Sequence, residues 1–111
     1  MDTLNFYRKA IEDLLQDYIE YLGSNPDTEV SLAIDRERDR YLLIETGWEQ
    51  NKRIYGTFIH IDIIDGKLWI QHDGTEVGIA DELVAAGIPK QSIVLAYRSL
   101  DRRRVTDFAI M

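Results

Sequence analysis

Cysteine is absent from this chain of 111 residues, and its absence excludes several kinds of chemistry. Without thiols there is no disulfide framework, no thiolate zinc site, no iron–sulfur cluster and no cysteine nucleophile. Long hydrophobic runs are also absent, since no segment approaches the ~20 apolar residues of a membrane span. Acidic Asp2, Glu12 and Asp13 make the N-terminal segment unlike a signal peptide. We therefore expect a cytoplasmic protein that makes no membrane contact.

Basic residues are scarce in the first half of the chain. Residues 1–50 contain 12 acids and 5 bases, residues 51–111 contain 8 of each, and the net charge is −7. Such a chain is a poor ligand for the nucleic-acid backbone, because phosphate binding needs clustered Lys and Arg. One local exception is the arginine cluster, which we define as Arg98, Arg102, Arg103 and Arg104. It is interpreted either as a solvated face or as a contact for an acidic partner or phosphate.

The remaining composition indicates one ordinary folded domain over residues 1–111. Hydrophobic residues make up 45% and charged residues 30%, so disorder is not expected, and the length allows a sizeable core. Apolar periodicity predicts an α+β fold: an N-terminal helix, a four-stranded antiparallel meander, a second helix, a short strand and a C-terminal tail. The predicted bounds are helix 3–22, strands 29–35, 41–49, 53–65 and 67–73, helix 76–86 and strand 93–97.

The dipeptide Asp65-Gly66 predicts a two-residue type I′ turn between the third and fourth strands, because both turn positions need positive φ. That turn sets a register in which Ile61 pairs with Ile70 and His60 pairs with Gln71. One face of the hairpin is then apolar and predicted to be core: Ile59, Ile61, Ile63, Leu68, Ile70 and His72. The other face is polar around one aromatic side chain: His60, Asp62, Trp69, Gln71 and Asp73.

The two histidines and their neighbouring carboxylates are the best candidate for a chemical site. A metal centre needs at least three convergent donors with a supporting second layer of contacts. The predicted register places His60 and His72 on opposite faces and so argues against a shared metal, although a slip of one residue would bring them together. We predict no metal and no cofactor, with His72 in the core and His60/Asp62 as a surface or interface pair. A metal-dependent hydrolase around His60 and Asp62 stays open as an alternative.

Several segments resemble a known family. They are Trp69-Ile70-Gln71-His72-Asp73-Gly74-Thr75-Glu76, Gly78-Ile79-Ala80-Asp81-Glu82-Leu83, Gly87-Ile88-Pro89-Lys90 and Ile93-Val94-Leu95-Ala96-Tyr97. Together they resemble the fdxN element excision controlling factor proteins, the XisI-like family, over most of the chain. The resemblance implies a role, mostly in cyanobacteria, in regulating excision of a DNA element from a nitrogen-fixation gene during heterocyst development. It further implies a companion protein, XisH, and a separate site-specific recombinase that performs the excision. It supplies no catalytic residues.

Three functional hypotheses follow. The first is a non-catalytic accessory protein that contacts a companion protein through the candidate partner surface, which comprises His60, Asp62, Trp69, Gln71, Asp73, Thr75 and Glu76. The second is direct DNA binding through the arginine cluster, and the third is the hydrolase. Homodimerisation is a further option, because exposed strand edges need to be covered.

Overall fold

A computed structural model describes residues 2–23 and 25–111 and shows an α+β fold built on one five-stranded sheet. The elements in chain order are α1 (Thr3–Leu22), β1 (Thr28–Asp35), β2 (Arg40–Glu49), β3 (Lys52–Ile64), β4 (Lys67–Asp73), α2 (Ile79–Ala85), β5 (Ile93–Val94) and α3 (Leu100–Arg104). The strands lie side by side in the order β1-β2-β3-β4-β5. The antiparallel meander of β1 to β4 is confirmed. The short strand β5 adds to β4 in parallel, so the complete sheet is mixed.

The helix α1 forms where the sequence predicts it. The Asp2 carboxylate accepts a hydrogen bond from the Asn5 backbone N–H at 3.2 Å, which satisfies one of the unpaired donors of the first turn. Gly23 ends the helix, and its N–H donates to the carbonyl of Ile19. The apolar stripe buries Tyr7, Ile11 and Leu15 against the sheet. None of the described helices is long and apolar enough to cross a membrane.

We call the sheet face that α1 covers the inner face. Its most buried side chains form the core with α1 and α2: Tyr41, Leu43, Ile59, Ile61, Ile63, Leu68 and Ile70. Burying one aliphatic side chain of this size stabilises the fold by about 1.5–3 kcal/mol, so this layer provides the main driving force for folding. The predicted core face of the hairpin is thereby confirmed with one exception. His72 is exposed, and the prediction of a core histidine there is wrong.

The exception at His72 has a local cause, a β-bulge in β4. The Asp65-Gly66 turn forms as predicted, with φ of 51° and 78°, and the pairing holds back to Ile61 opposite Ile70. The register then shifts, so that His60 pairs with His72 rather than with Gln71, and Ile59 pairs with Asp73. A bulge adds one residue to one strand and changes the facing of everything beyond it. The predicted pairs beyond Ile61 are therefore wrong by one residue.

The helix α2 also differs from its predicted bounds. It begins at Ile79, three residues later than expected, because the chain after β4 first forms a loop that holds Gly78 at φ 89°. The end agrees with the prediction. Gly87 has φ 107°, the left-handed conformation that commonly follows a helix, and Pro89 lies just beyond it.

The C-terminal segment folds back against the sheet edge formed by β5. That strand pairs only at Ile93 and Val94, whereas the prediction extends it to residue 97. Just after the strand, the carbonyls of Leu95 and Ala96 accept hydrogen bonds from the Arg103 side chain, so they are engaged outside the strand ladder. Farther along, Ala109 is buried and forms a bridge with Val94, so this part of the C-terminal tail packs on the core.

Candidate interaction surface

The outer face of the sheet lies opposite α1 and carries most of the candidate partner surface. Side chains alternate between faces along a strand, so the residues flanking Tyr41, Ile61 and Ile70 point outward. At the centre of the outer face are Arg40, Leu42, His60, Asp62, Trp69 and Gln71. The structure thus brings four of the predicted site residues together: His60, Asp62, Trp69 and Gln71.

Asp62 organises this central group. Its side chain is only 11% exposed, and its Oδ1 lies 3.0 Å from His60 Nε2 and 3.4 Å from Arg40 Nε. Its Oδ2 accepts a hydrogen bond of 3.4 Å from the Gln71 amide. A carboxylate this buried is costly unless it is paired and hydrogen-bonded, and three neighbours meet that requirement here. The group therefore presents a fixed polar surface whose central charge is already satisfied by neighbouring side chains.

Trp69 is held between the sheet and the C-terminal segment. It pairs with Asp62 across the β3–β4 ladder, and the Arg103 guanidinium carbon lies 5.7 Å from its ring centroid. That distance and position are typical of a cation–π contact. Trp69 is therefore half-buried rather than open on the outer face.

The remaining predicted partner residues lie at the end of β4 and in the loop that follows it. Asp73 accepts three hydrogen bonds through its carboxylate: from Thr75 N at 2.9 Å, Thr75 Oγ1 at 2.6 Å and Ile79 N at 2.9 Å. Thr75 Oγ1 in turn accepts from Gly78 N at 3.1 Å. These bonds shape the loop and cap the first turn of α2. Within the candidate surface, Asp73 and Thr75 are thus committed to the loop, while the Glu76 side chain is exposed.

The two histidines pair across β3 and β4 because of the bulge at Gln71. The predicted separation of the two histidines onto opposite faces depends on a hairpin register without a bulge. The structure does not have that register. Their surroundings still lack a ligand set: the described residues contain no group of three or more His, Asp or Glu placed to hold a metal ion. The hydrolase hypothesis consequently has no assembled metal site in the described part of the chain.

The arginine cluster divides into two kinds of residue. Arg103 turns inward, and its guanidinium donates to four backbone carbonyls, those of Leu95, Ala96, Arg98 and Ile110. Arg98, Arg102 and Arg104 are exposed. Arg104 lies 3.3 Å from the Asp101 carboxylate, and Arg98 lies over the ring of Tyr97. Three guanidinium groups, not four, are therefore presented to solvent.

A further feature of the outer face is the hairpin tip, which we define as Trp48, Arg53 and Tyr55 with the turn between β2 and β3. Trp48 is 59% exposed and Tyr55 is 75% exposed, and Arg53 stacks 5.4 Å from the Trp48 ring centroid. β4 accompanies β3 only from Ile59 onward, so the tip extends beyond its neighbour. In the sequence, this hairpin tip is indicated by the polar residues 49–52, which lie between two strands with alternating apolar and polar residues.

The geometry defines a small α+β protein with one sheet face packed on a helix and the other left open for contacts. A family model described as XisI protein matches residues 1–110. The chain belongs to the XisI family. Comparison with curated proteins gives no match.

Two solved structures from Anabaena variabilis show the same fold. A XisI-like protein is 36% identical, with a TM-score of 0.89, over 99% of this chain and 100% of its own. The fdxN element excision controlling factor XisI is 37% identical, with a TM-score of 0.85 and the same coverage. The family and the fold expected from the resemblance are both confirmed.

Proposed function

We propose that this protein is a non-catalytic accessory factor that controls site-specific DNA excision by binding a companion protein. The similar Anabaena protein is itself described as an excision controlling factor, which supports the regulatory part of the proposal. The companion is expected to be XisH-like, to act in the cytoplasm and to link this chain to a separate recombinase. The outer face of the sheet, extended to the hairpin tip, is the proposed contact surface.

The exposed aromatic residues at the hairpin tip carry this proposal. Trp48 and Tyr55 project from the same face of adjacent strands, with the Arg53 guanidinium over the Trp48 ring. Tryptophan, tyrosine and arginine are the residue types most enriched at the energetic centres of protein interfaces. Large aromatic side chains left in water contribute nothing to the core of the isolated chain, so a partner that covers them explains their exposure.

The Asp62 group supports the same reading. Its polar contacts within the chain are already made, so a partner can cover it without leaving a buried charge unpaired. Among the described residues, no buried side-chain nitrogen or oxygen atom lacks a hydrogen-bond partner. The central outer face therefore contributes shape and polarity, and the hairpin tip contributes apolar area.

A pull-down between this chain and its XisH-like companion tests the proposal. The double variant Trp48→Ala/Tyr55→Ala is expected to lose most binding, because truncation of an interface anchor costs about 2–4 kcal/mol. Tyr97→Ala, which removes an exposed ring from the C-terminal segment, serves as the matched control and should bind normally. Trp69→Ala is a poorer choice, since Trp69 also supports Arg103. Full binding by the double variant would remove the hairpin tip from the interface.

A second candidate function is direct DNA binding through Arg98, Arg102 and Arg104. It is favoured by the exposure of these three side chains within one short segment. Binding of a DNA duplex, measured by fluorescence anisotropy, would then fall steeply with salt and disappear when all three are changed to Ala. Equal anisotropy with and without the chain at low salt would exclude this function.

A further inference from the structure

A groove lies on the other side of the molecule, between α1 and the segment that leads into α2. A cavity of about 690 Å³ in this groove is lined on one side by Leu14, Tyr18 and Tyr21 of α1. Phe58 and Val77 line the opposite side, and Phe58 meets Tyr18 edge to face at 6.4 Å between ring centroids. Tyr21 and Val77 are 77% and 71% exposed, so the apolar walls are open to solvent. The groove thus offers aromatic and aliphatic surface to an occupant from outside.

The charged residues around this cavity all have the same sign. They are Asp17, Glu76 and Glu82, and no Lys or Arg among the described residues lines it. The Tyr18 hydroxyl donates to Glu82 Oε2 at 2.8 Å, and burial, together with this hydrogen bond, raises the pKa of Tyr18 to about 12. Neither Asp17 nor Glu76 forms an ion pair with another described residue. The potential at the groove is therefore negative at neutral pH.

The charged residues in the second half of α1 do not stabilise the helix. From Glu12 to its end the helix contains four acids and no base, although a helix C-terminus favours cations. Glu12 is paired with Arg36 and Asp13 with Lys9, which leaves Asp17 and Glu20 near the negative end of the dipole. A cationic occupant of the groove would offset this repulsion.

The groove extends along α1 beyond this one cavity. A second cavity of about 470 Å³ continues it toward the start of α1, with Phe6, Ala10 and Leu83 in its lining and with Leu14, Asp17 and Glu82 shared. The distance along α1 from Phe6 to Tyr21 is about 22 Å at 1.5 Å per residue. Its one base, Lys9, is already paired with Asp13. Such a length accommodates about four turns of a helix lying along the groove.

We infer that this groove docks a basic amphipathic segment of a partner protein. The apolar side chains of the segment fill the aromatic cavity, and its Arg or Lys side chains meet Asp17, Glu76 and Glu82. The acidic rim repels phosphate, so nucleic acid and anionic membranes are unsuitable occupants. A partner segment can occupy this groove whether or not the hairpin tip and the outer face form an interface.

The test uses a synthetic 15-residue probe peptide with Leu at three- and four-residue spacing and Arg at most other positions. Titration into the ¹⁵N-labelled full chain should shift amide signals of α1, of the segment that leads into α2 and of Phe58, and not those of the hairpin tip. Two control peptides separate the contributions. One has Glu in place of Arg and should not bind. The other has Ser in place of Leu and should bind much more weakly.

Charge reversal localises the binding. Asp17→Lys/Glu76→Lys is expected to weaken the peptide about tenfold at low salt, because it converts two attractions into repulsions. Glu29→Lys/Glu37→Lys reverses two exposed acids on β1 and the following turn, changes the net charge equally, and should have less than about a threefold effect. If the first variant fails to fold, Val77→Lys tests the same wall of the groove. Equal weakening by both double variants, shifts outside the groove, or undiminished binding of the Ser peptide would each overturn the inference.

Discussion

Replacement of Arg103 by alanine is the sharpest test of how this fold is held together. Arg103 is one of four similar arginines in a short segment, yet it alone turns its guanidinium toward the protein backbone. Nε lies 2.9 Å from the carbonyl oxygen of Arg98 and 3.2 Å from that of Leu95. The two terminal nitrogens lie 3.2 Å and 3.3 Å from the carbonyl oxygens of Ala96 and Ile110. One side chain therefore ties together three parts of the C-terminal segment.

The expected loss of stability follows from these contacts. Hydrogen bonds from a charged donor contribute about 1.5–3 kcal/mol each when short and buried. Three of these four are longer than 3.1 Å and the side chain is partly exposed, so about 0.5–1 kcal/mol each is appropriate. Loss of the contact with Trp69 adds about 0.5 kcal/mol. We expect Arg103→Ala to lower the free energy of unfolding by about 2.5–4.5 kcal/mol.

Urea denaturation followed by circular dichroism measures this loss, and Arg102→Ala is the matched control. Arg102 is exposed, and its side chain makes no contacts in the described structure comparable to those of Arg103. Its replacement by alanine should therefore lower the free energy of unfolding by less than about 0.5 kcal/mol. Arg103→Lys keeps the charge but not the planar fork, and should recover less than half of the stability. If Arg103→Ala and Arg102→Ala unfold at the same urea concentration, the structural role assigned to Arg103 is wrong.

Three further perturbations have defined outcomes. Asp73→Ala removes three hydrogen bonds from the loop before α2 and should cost about 1–3 kcal/mol in urea unfolding, whereas Asp73→Asn should cost less. Gly74→Ala would place a Cβ 2.7 Å from the Phe58 carbonyl oxygen, so we expect a lower melting temperature by calorimetry, and an unchanged one would contradict this close approach. The Arg8 guanidinium lowers the pKa of Asp39, so this carboxylate stabilises the fold above its unfolded pKa of ~3.9, and the contribution is lost as the pH falls through the lower folded value. The difference in stability between the wild type and Asp39→Asn should accordingly shrink below about pH 4, and a constant difference from pH 7 to pH 3 would refute the assignment.

The parts of the fold that could be predicted depend on short-range signals. The alternation of apolar and polar residues in β1 to β4 and the preference of Asp65-Gly66 for positive φ are local properties. The antiparallel meander follows from them. The α1 stripe likewise requires only helical periodicity. These elements agree with the structure within a residue or so at their ends.

The bulge at Gln71 could not be predicted from the same signals. Gln71, His72 and Asp73 are all polar, so no apolar residue in this stretch indicates which face each should take. The register there is set instead by contacts beyond the hairpin. Gly74 N donates to the Phe58 carbonyl at 2.8 Å, and the Asp73 carboxylate reaches Ile79 N at the start of α2. Such interactions become visible only when the whole chain is folded.

The division of the arginine cluster has a similar origin. Nothing in the sequence distinguishes Arg103 from Arg102 or Arg104, because its acceptors are backbone carbonyls spread between residues 95 and 110. Every residue type has the same backbone carbonyl group, so the side chains at these positions do not reveal that Arg103 binds there. The His60/Asp62 pair of the candidate partner surface, by contrast, could be predicted. These residues lie two apart on a strand, so the period of two places their side chains side by side.

The positions of the two tryptophans give this chain a pair of internal optical reporters. Trp48 projects into solvent at the hairpin tip, while Trp69 lies half-buried under a guanidinium group at the other end of the outer face. Nine residues of β3 separate their partners Arg53 and Asp62, a distance of about 30 Å. Each of the single variants Trp48→Phe and Trp69→Phe keeps one indole, whose emission can be followed alone. Occupancy of the tip and opening of the C-terminal segment can then be followed separately by fluorescence, each in its own unlabelled single-tryptophan variant.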